Sequence, residues 1–439
     1  MGAGFQLTRE RTLPEQIVLQ HTGNGVIDFE TYLKHEGYQA LLKALTQLKP
    51  RDVIEEVKKS GLRGRGGAGF PTGRKWERVA THPVSEHYVV CNAGEHEPGT
   101  FKDRHLLGLH PHQLLEGLLI ASYAVGAKET YLYMNEAFGD AIQLVRHSMA
   151  DAKRHGYLGS HIRGMGFSCE IQIFMGPDRY VAGEETAMLE TMQGRSATPQ
   201  HKPPFYPTEF GLYGKPTVVN NVETLSNIPH IIRNGADWFS RFGTRTSPGT
   251  MLFSLSGDIN QPGVYELPLG TPLRTLIEKY GGGIKNGRRL KAVYPGGPSH
   301  ALLTAKDVDV AMDFDSLKAV GSGLGSAGVI VFDETACMVR KMMEFCHFFE
   351  VESCGKCPPC KMGTQYLHQI LHRIEMGEGK PEDLKSLEQL SGFIKGRGDC
   401  TLITGASVSV ESGLKYFRRE FESHIEAHRC PMASSNGNS

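Results

Sequence analysis

The chain has 439 residues, and 48 Lys and Arg are balanced by 48 Asp and Glu, so the formal net charge is zero. That balance excludes a global field toward nucleic acid or an anionic membrane. The length accommodates roughly two to four domains, and a hydrophobic fraction of 39% with 52 glycines describes a loop-rich globular protein.

The first residues, MGAGFQLTRERTLPEQ, lack the apolar core of a signal peptide. Gln6 also stands where a myristoylation signal wants Ser or Thr. The pattern is helical to about residue 60 and then gives way to a Gly/Arg-rich loop. An alternation follows: strand HYVVCN, helix PHQLLEGLLIASYAVG, strand TYLYMN, helix DAIQLVRHSMADAKRHG and strand EIQIFMG. Strands separated by helices predict an α/β domain with a mostly parallel sheet covered on both faces. GEETAMLETMQG and NNVETLSNIPHIIRNGADWF read as the helices that close it. The most apolar run, LLEGLLIASYAVGA at 114–127, is too short for a bilayer and carries Glu116, so no direct membrane insertion is expected.

From about 245 to 333 short strands with Gly/Pro turns predict a small α+β module, strands first and one helix across them. From 334 onward four segments with helical spacing of apolar residues predict a bundle. The expected domains are therefore 1–244, 245–333 and 334–439, the last ending in a polar tail at 433–439.

Nine cysteines, an odd number and mostly scattered, fit a reducing compartment better than a disulfide framework. Three of them, Cys354, Cys357 and Cys360 in ESCGKCPPC, have the spacing of a ferredoxin-type run on the turn between the first two bundle helices. A fourth thiolate is needed, and Cys400 in the Gly-rich turn KGRGDCTL follows one helix and precedes another. A [4Fe–4S] cluster is the expected occupant; a zinc site on the same four thiolates is the alternative. Cys91 and Cys169 read as small buried hydrophobes, Cys337 and Cys346 as helical, and Cys430 as lying near a mobile end.

GLRGRGGAGFPTGRKW, 61–76, formally contains Gly64-x-Gly66-x-x-Gly69, but DVIEEVKKSGL before it reads as a helix, so a dinucleotide fold is not implied. Its bare backbone N–H groups beside Arg63, Arg65, Arg74 and Lys75 can wrap a phosphate or a flat ring. A flexible surface loop is the competing reading.

Together, GLRGRGGAGFPTGRKW, GEHEPGTFKDR, GEETAMLE, KPTVVNNVET and SCGKCPPC…C resemble the NADH- and FMN-binding subunit of respiratory complex I, over about residues 28–425. Diaphorase subunits of NAD-linked soluble hydrogenases and formate dehydrogenases share these motifs. The resemblance implies a flavin domain, a β-grasp-like module and a four-helix cluster domain. It assigns Gly64, Arg65, Gly66, Gly67, Lys75, Asn92 and Glu95 to the FMN site. Tyr180, Gly183, Glu184, Asn220, Asn221 and Thr224 join them there, with Tyr180 and Glu184 also lining the nucleotide cavity. Phe70, Glu97, Glu185, Lys202 and Phe205 match positions that receive NADH, and Cys354, Cys357, Cys360 and Cys400 those that hold the cluster. Helix capping for Glu184 and Glu185, and core packing for Phe70 and Phe205, are the ordinary alternatives.

No acid–base residue is implied, because the flavin carries the hydride chemistry. The expected activity is NADH dehydrogenase within an NADH:quinone oxidoreductase. The implied partners are a [2Fe–2S] thioredoxin-like subunit and a large iron–sulfur subunit, on the cytoplasmic side of the inner membrane. Departures from the family pattern are Gly94 in place of Asp, His96 in place of a small residue, Arg78 in place of an aromatic, Ala182 in place of Cys and Thr401 in place of Pro. Competing readings are a diaphorase subunit of a soluble hydrogenase or formate dehydrogenase, a bifurcating or catabolic complex, and a non-catalytic zinc scaffold that bound flavin would eliminate. An extra thioredoxin-like or ferredoxin-like domain, frequent in the diaphorases, is not legible here, which favours the complex I type.

Overall fold

A computed structural model describes residues 16–432; Gln6 with the rest of 1–15, and the tail at 433–439, lie outside the described residues. Four strands, β1 (His87–Ala93), β2 (Ala127–Asn135), β3 (Ile171–Gly176) and β4 (Thr217–Asn221), form one sheet in the order β3-β2-β1-β4. All three pairings are parallel, with Val90 opposite Tyr131 on one side and Val219 on the other. The chain winds outward from β1 to β3 and then returns to β1's free side as β4. The carboxyl ends of β1 and β4 therefore flank the switch point where open parallel sheets bind ligands.

The helix Pro111–Val125 joins β1 to β2 and buries every residue but Tyr123. A helix apolar on all sides belongs in a core, and Glu116 is tolerated there because it has donors. Its carboxylate accepts the N–H groups of Tyr38 at 2.8 Å and Leu41 at 2.9 Å, and the Tyr32 hydroxyl. Among the described residues no helix is long and apolar enough to cross a membrane.

Two local features differ from the sequence expectation. Asn220 and Asn221 end β4, a strand of only five residues that the helical pattern directly after it conceals. The expected long helix is also three short ones, Val222–Ser226, Ile228–Asn234 and Ala236–Phe239. Pro229 opens the second and Gly235 separates the second from the third.

β5 (Thr250–Gly257), β6 (Gly263–Pro268), β7 (Leu290–Tyr294), β8 (Leu303–Thr304) and β9 (Gly328–Asp333) form a second sheet in the order β6-β5-β9-β7-β8, with only β5 and β9 parallel. A helical turn over Leu273–Tyr280 crosses it, and a second helix, Phe314–Ala319, adds to the single one expected. β5 alternates faces as a strand must: Met251, Phe253 and Leu255 pack in the module, while Leu252 packs in the core of the first domain. Buried Glu266 fixes the start of the described chain by accepting the N–H groups of Ile17, Val18 and Leu19 at 2.8–3.1 Å.

The bundle consists of the helices Met338–Glu352, Pro358–Glu375, Pro381–Ile394 and Leu402–Ala427. Phe349, Leu367, Leu371, Leu387 and Val410 are among the residues of its core. The Tyr294 hydroxyl of β7, 2.7 Å from Ser409 Oγ, ties the bundle to the module.

Candidate functional site

The glycine loop follows the helix Pro50–Lys59 and ends in the helix Thr72–Ala80, so Lys75 sits on a first turn. Arg65 is fully buried, and its guanidinium donates to the carbonyls of Thr250 at 3.1 Å, Arg63 at 2.9 Å and Pro248 at 2.9 Å. Its backbone N–H donates to Thr224 Oγ1 at 2.8 Å. Burial pulls the Arg65 guanidinium down to about 10. Arg65 is thus a strut that shapes the loop, and its side chain is committed to protein carbonyls.

At Gly67 the backbone has φ +128°, and a Cβ there would meet nothing within 4 Å. The left-handed geometry requires glycine, and the space beside it is open. Gly66 instead lies close to Asn221, 3.0 Å from where its Cβ would be. The loop therefore leans on the carboxyl end of β4 while leaving Gly67 uncovered.

At the end of β1, Asn92 pins two chain segments together: its Nδ2 donates to Gly183 O at 2.9 Å and its Oδ1 accepts Gly94 N–H at 2.9 Å. A Cβ on Gly94 would stand 3.1 Å from Asn92 Oδ1 and 3.3 Å from the Tyr133 ring, so a side chain fits only with a small shift. Asn220 Oδ1 accepts the indole N–H of buried Trp76 at 2.7 Å.

Beneath these residues lies a buried ionic network that sequence reasoning missed. Lys102 Nζ contacts Asp103 at 2.7 Å and Glu223 at 2.8 Å, and Asn221 Nδ2 donates to Asp103 at 2.5 Å. Glu95 accepts the N–H groups of Asp103 at 2.8 Å and Arg104 at 3.2 Å. Burial, with Asp103 nearby, pushes its carboxyl up to about 7. The available signal was the KDR run inside GEHEPGTFKDR, where a charged triplet follows a Gly turn.

A second cluster faces outward. Lys202 Nζ bridges Glu184 at 2.7 Å and Glu185 at 2.9 Å, while Lys75 Nζ contacts Glu185 at 3.3 Å and Val219 O at 3.0 Å. Burial alone would raise the Glu185 carboxyl, but Lys75 and Lys202 outweigh it and hold it at about 2. Glu184 also caps the helix Glu185–Met192 through the N–H groups of Thr186 and Ala187, so capping and clustering coexist. Glu97 accepts the Tyr180 hydroxyl at 2.6 Å and Ser299 N–H at 3.3 Å. Phe70 and Phe205 are 38% and 43% exposed, which removes core packing as their role. Arg78 lies 5.5 Å from the Phe70 ring centroid.

Cys354, Cys357, Cys360 and Cys400 line one cavity together with Val181 and Pro199. Asp399 N–H approaches Cys357 Sγ at 3.4 Å, and Ser353 Oγ lies 3.4 Å from Cys360 Sγ. Burial pushes the Cys400 thiol up to about 12. Cationic iron removes that penalty by holding the sulfurs as thiolates, so the donor set fits a cluster. Cys91 is buried and Cys169 partly buried, and both lie outside this cavity. The segment 180–185 is shared: Gly183 O faces Asn92, and Val181 faces the cysteines.

Three family models match the chain: Nuo51 FMN-binding domain over residues 57–230, SLBB domain over 252–301, and NADH-ubiquinone oxidoreductase-F iron-sulfur binding region over 340–424. An NADH-quinone oxidoreductase F-type subunit of Rhizobium meliloti is 49% identical over 402 residues, covering 92% of this chain and 95% of that protein. The NADP-reducing hydrogenase subunit HndC of Solidesulfovibrio fructosivorans is 43% identical over 423 residues, covering 96% and 86%. The crystal structure of an NAD+-reducing [NiFe]-hydrogenase in the H2-reduced state superposes with a TM-score of 0.78 at 34% identity, covering 90% of this chain and 65% of that one. This chain belongs to the family of NADH-quinone oxidoreductase F-type subunits, which is related to the diaphorase subunits of NAD-linked hydrogenases.

Proposed function

We propose that the chain is the electron-input component of an NADH:quinone oxidoreductase, taking hydride from NADH onto FMN and passing single electrons through a [4Fe–4S] cluster. The observation that carries this reading is the shared segment 180–185, which has the carboxyl end of β1 on one side and the four cysteines on the other. When bound, FMN supplies the conversion of a two-electron hydride into single electrons. The residues do the rest by binding, orienting and excluding water.

FMN would lie across the carboxyl ends of β1 and β4, on the open face of Gly67. Asn92, Asn220 and Asn221 would border it, and Gly64 and Gly66 would offer backbone. Arg65 and Thr224 would hold the loop in shape from behind, and Glu95 would brace the layer below. Lys75 would supply a cation toward the phosphate.

NADH would enter over exposed Phe70 and Phe205, with Glu97 at the adenosine ribose. There a carboxylate accepts hydroxyl hydrogen bonds and repels a 2′-phosphate. Lys202 is already bridged to Glu184 and Glu185, which leaves it poorly placed to neutralise such a phosphate. Cys354, Cys357, Cys360 and Cys400 would bind the cluster.

The relatives are named as subunits, and the partners proposed here are a thioredoxin-like [2Fe–2S] protein and a large iron–sulfur protein at the cytoplasmic face of the inner membrane. A second reading, a hydrogenase diaphorase, is favoured by the likeness to the hydrogenase subunits. Anaerobic NADH should bleach the yellow flavin of the purified chain and develop a reduced-cluster EPR signal; absence of flavin refutes the proposal. Co-purification with hydrogenase subunits, without membrane subunits, would select the second reading.

A further inference from the structure

At the opposite end of the bundle from the cluster cysteines, four other side chains converge. Cys337 caps the start of the helix Met338–Glu352, Glu375 ends Pro358–Glu375, His424 lies near the end of Leu402–Ala427, and Cys430 follows it. The first of these helices has 15 residues and leads to Cys354, so the two groups are separated by about 22 Å of helix. All four side chains are buried, between 1% and 7% exposed.

Cys337 Sγ lies 3.7 Å from Cys430 Sγ, 3.6 Å from Glu375 Oε2 and 3.3 Å from His424 Nε2, and His424 Nε2 lies 3.3 Å from Glu375 Oε2. The ligand atoms all fall within 4.8 Å of one another. A tetrahedral zinc with bonds of ~2.0–2.3 Å spaces its ligands by about 3.3–3.8 Å. The four separations above match that range.

The surroundings orient each donor. His424 Nδ1 donates to Glu420 O at 2.7 Å, which turns Nε2 toward the other three. Glu375 turns Oε2 inward while Oε1 accepts Arg340 Nε at 2.8 Å. Arg340 N–H also reaches Cys337 Sγ at 3.4 Å. Two thiolates and a carboxylate carry three negative charges, which Zn2+ and Arg340 would together neutralise. On binding, the two thiol protons and the imidazole Nε2 proton leave to solvent and the metal takes their place.

We propose that Cys337, Glu375, His424 and Cys430 form a structural zinc site, separate from the redox cluster. Four protein ligands leave no open position, so the metal is a staple and takes no part in the reaction. It fastens the C-terminal segment to the bundle, and it does so at the point where the chain leaves β9 for the first bundle helix. The site is independent of flavin and nicotinamide binding.

The test is metal analysis of the intact, cofactor-loaded protein isolated without chelators. About one zinc per chain is expected, in addition to the cluster iron. Cys430→Ser, at a position after the last helix, should lose that zinc while iron and FMN stay at wild-type occupancy. Wild-type protein regrown with cobalt should show the intense visible bands of tetrahedral thiolate-bound Co2+. Full iron with no zinc, even after zinc supplementation, would overturn the proposal. So would a Cys337–Cys430 disulfide detected by mass spectrometry in freshly isolated protein.

Discussion

The two ends of the helical bundle are built for metals in different ways. At one end the donors are all sulfur, three of them lie within seven residues, and Cys354 remains exposed. At the other the donors are two sulfurs, an imidazole and a carboxylate, drawn from three separate stretches of the chain and buried. A local run supplies three of the four thiolates from one turn, and thiolates suit a cluster whose charge changes as electrons pass. A mixed set gathered from helix ends exists only once those helices are in register. The first arrangement suits electron transfer and the second suits fastening.

The sharpest way to break this contrast is to remove one donor from the redox end. Cys400→Ser should lose most of the roughly four cluster irons while zinc content stays unchanged. Cys169→Ser, outside the cavity, should lose neither metal. Iron and sulfide assays with EPR check both; equal iron in Cys400→Ser and wild type would remove Cys400 from the cluster.

The next largest effect lies upstream of both ends. Gly67→Val places a β-branched residue at a positive φ, which costs about 1–3 kcal/mol, and projects it into the open face of the loop. The strain is carried with or without ligand, and the steric block on that face should lower FMN affinity by at least about tenfold, about 1.4 kcal/mol. Both metals should remain. Fluorescence of the flavin released on denaturation measures this, and normal occupancy would misplace the site.

A smaller change is expected from Glu97→Gln. The Tyr180 hydroxyl and Ser299 N–H hold Glu97 in place, so its charge acts from a fixed point. Wild-type protein should prefer NADH to NADPH. The variant should narrow that gap by about tenfold, mainly by improving NADPH, or about 1.4 kcal/mol. Steady-state kinetics with ferricyanide decide it, and an unchanged ratio would remove Glu97 from the ribose.

Gly94→Asp should have the smallest effect. A carboxylate beside the flavin disfavours its anionic reduced form, so the flavin potential should drop by about 15 mV, roughly 0.7 kcal/mol for two electrons, since 30 mV is about 1.4 kcal/mol. Redox titration of flavin and cluster together would show the flavin shifting alone; a rise would contradict the charge argument.

The contrast also explains what the sequence could reveal. Cys354, Cys357 and Cys360 announce themselves by spacing, and Cys400 by its Gly-rich turn between helices. Alternating strands and helices expose β1, β2 and β3; β1 and the second half of β2 are buried on both faces and read as apolar runs. Cys430 reads as lying near a mobile end, yet it is buried against Cys337. No local pattern connects residues 93 positions apart. Lys102, Asp103 and Glu223 escape a sequence reading in the same way, since a charged residue looks solvent-exposed until tertiary partners enclose it. Arg65 is legible as part of the loop, but the carbonyls it holds at Thr250 and Pro248 belong to chain well over a hundred residues away.

That last attachment has a consequence for how the protein is made. The glycine loop takes its shape from partners 183 and 185 residues further along. At about 5–20 residues per second, a ribosome needs about 10–40 s after finishing the loop before those partners exist. The nascent chain thus carries a flexible, cationic, glycine-rich segment through that interval. A truncated product ending before residue 248 would lack the carbonyls that hold Arg65, and if the loop binds FMN as proposed, flavin capture would wait for the start of the second sheet.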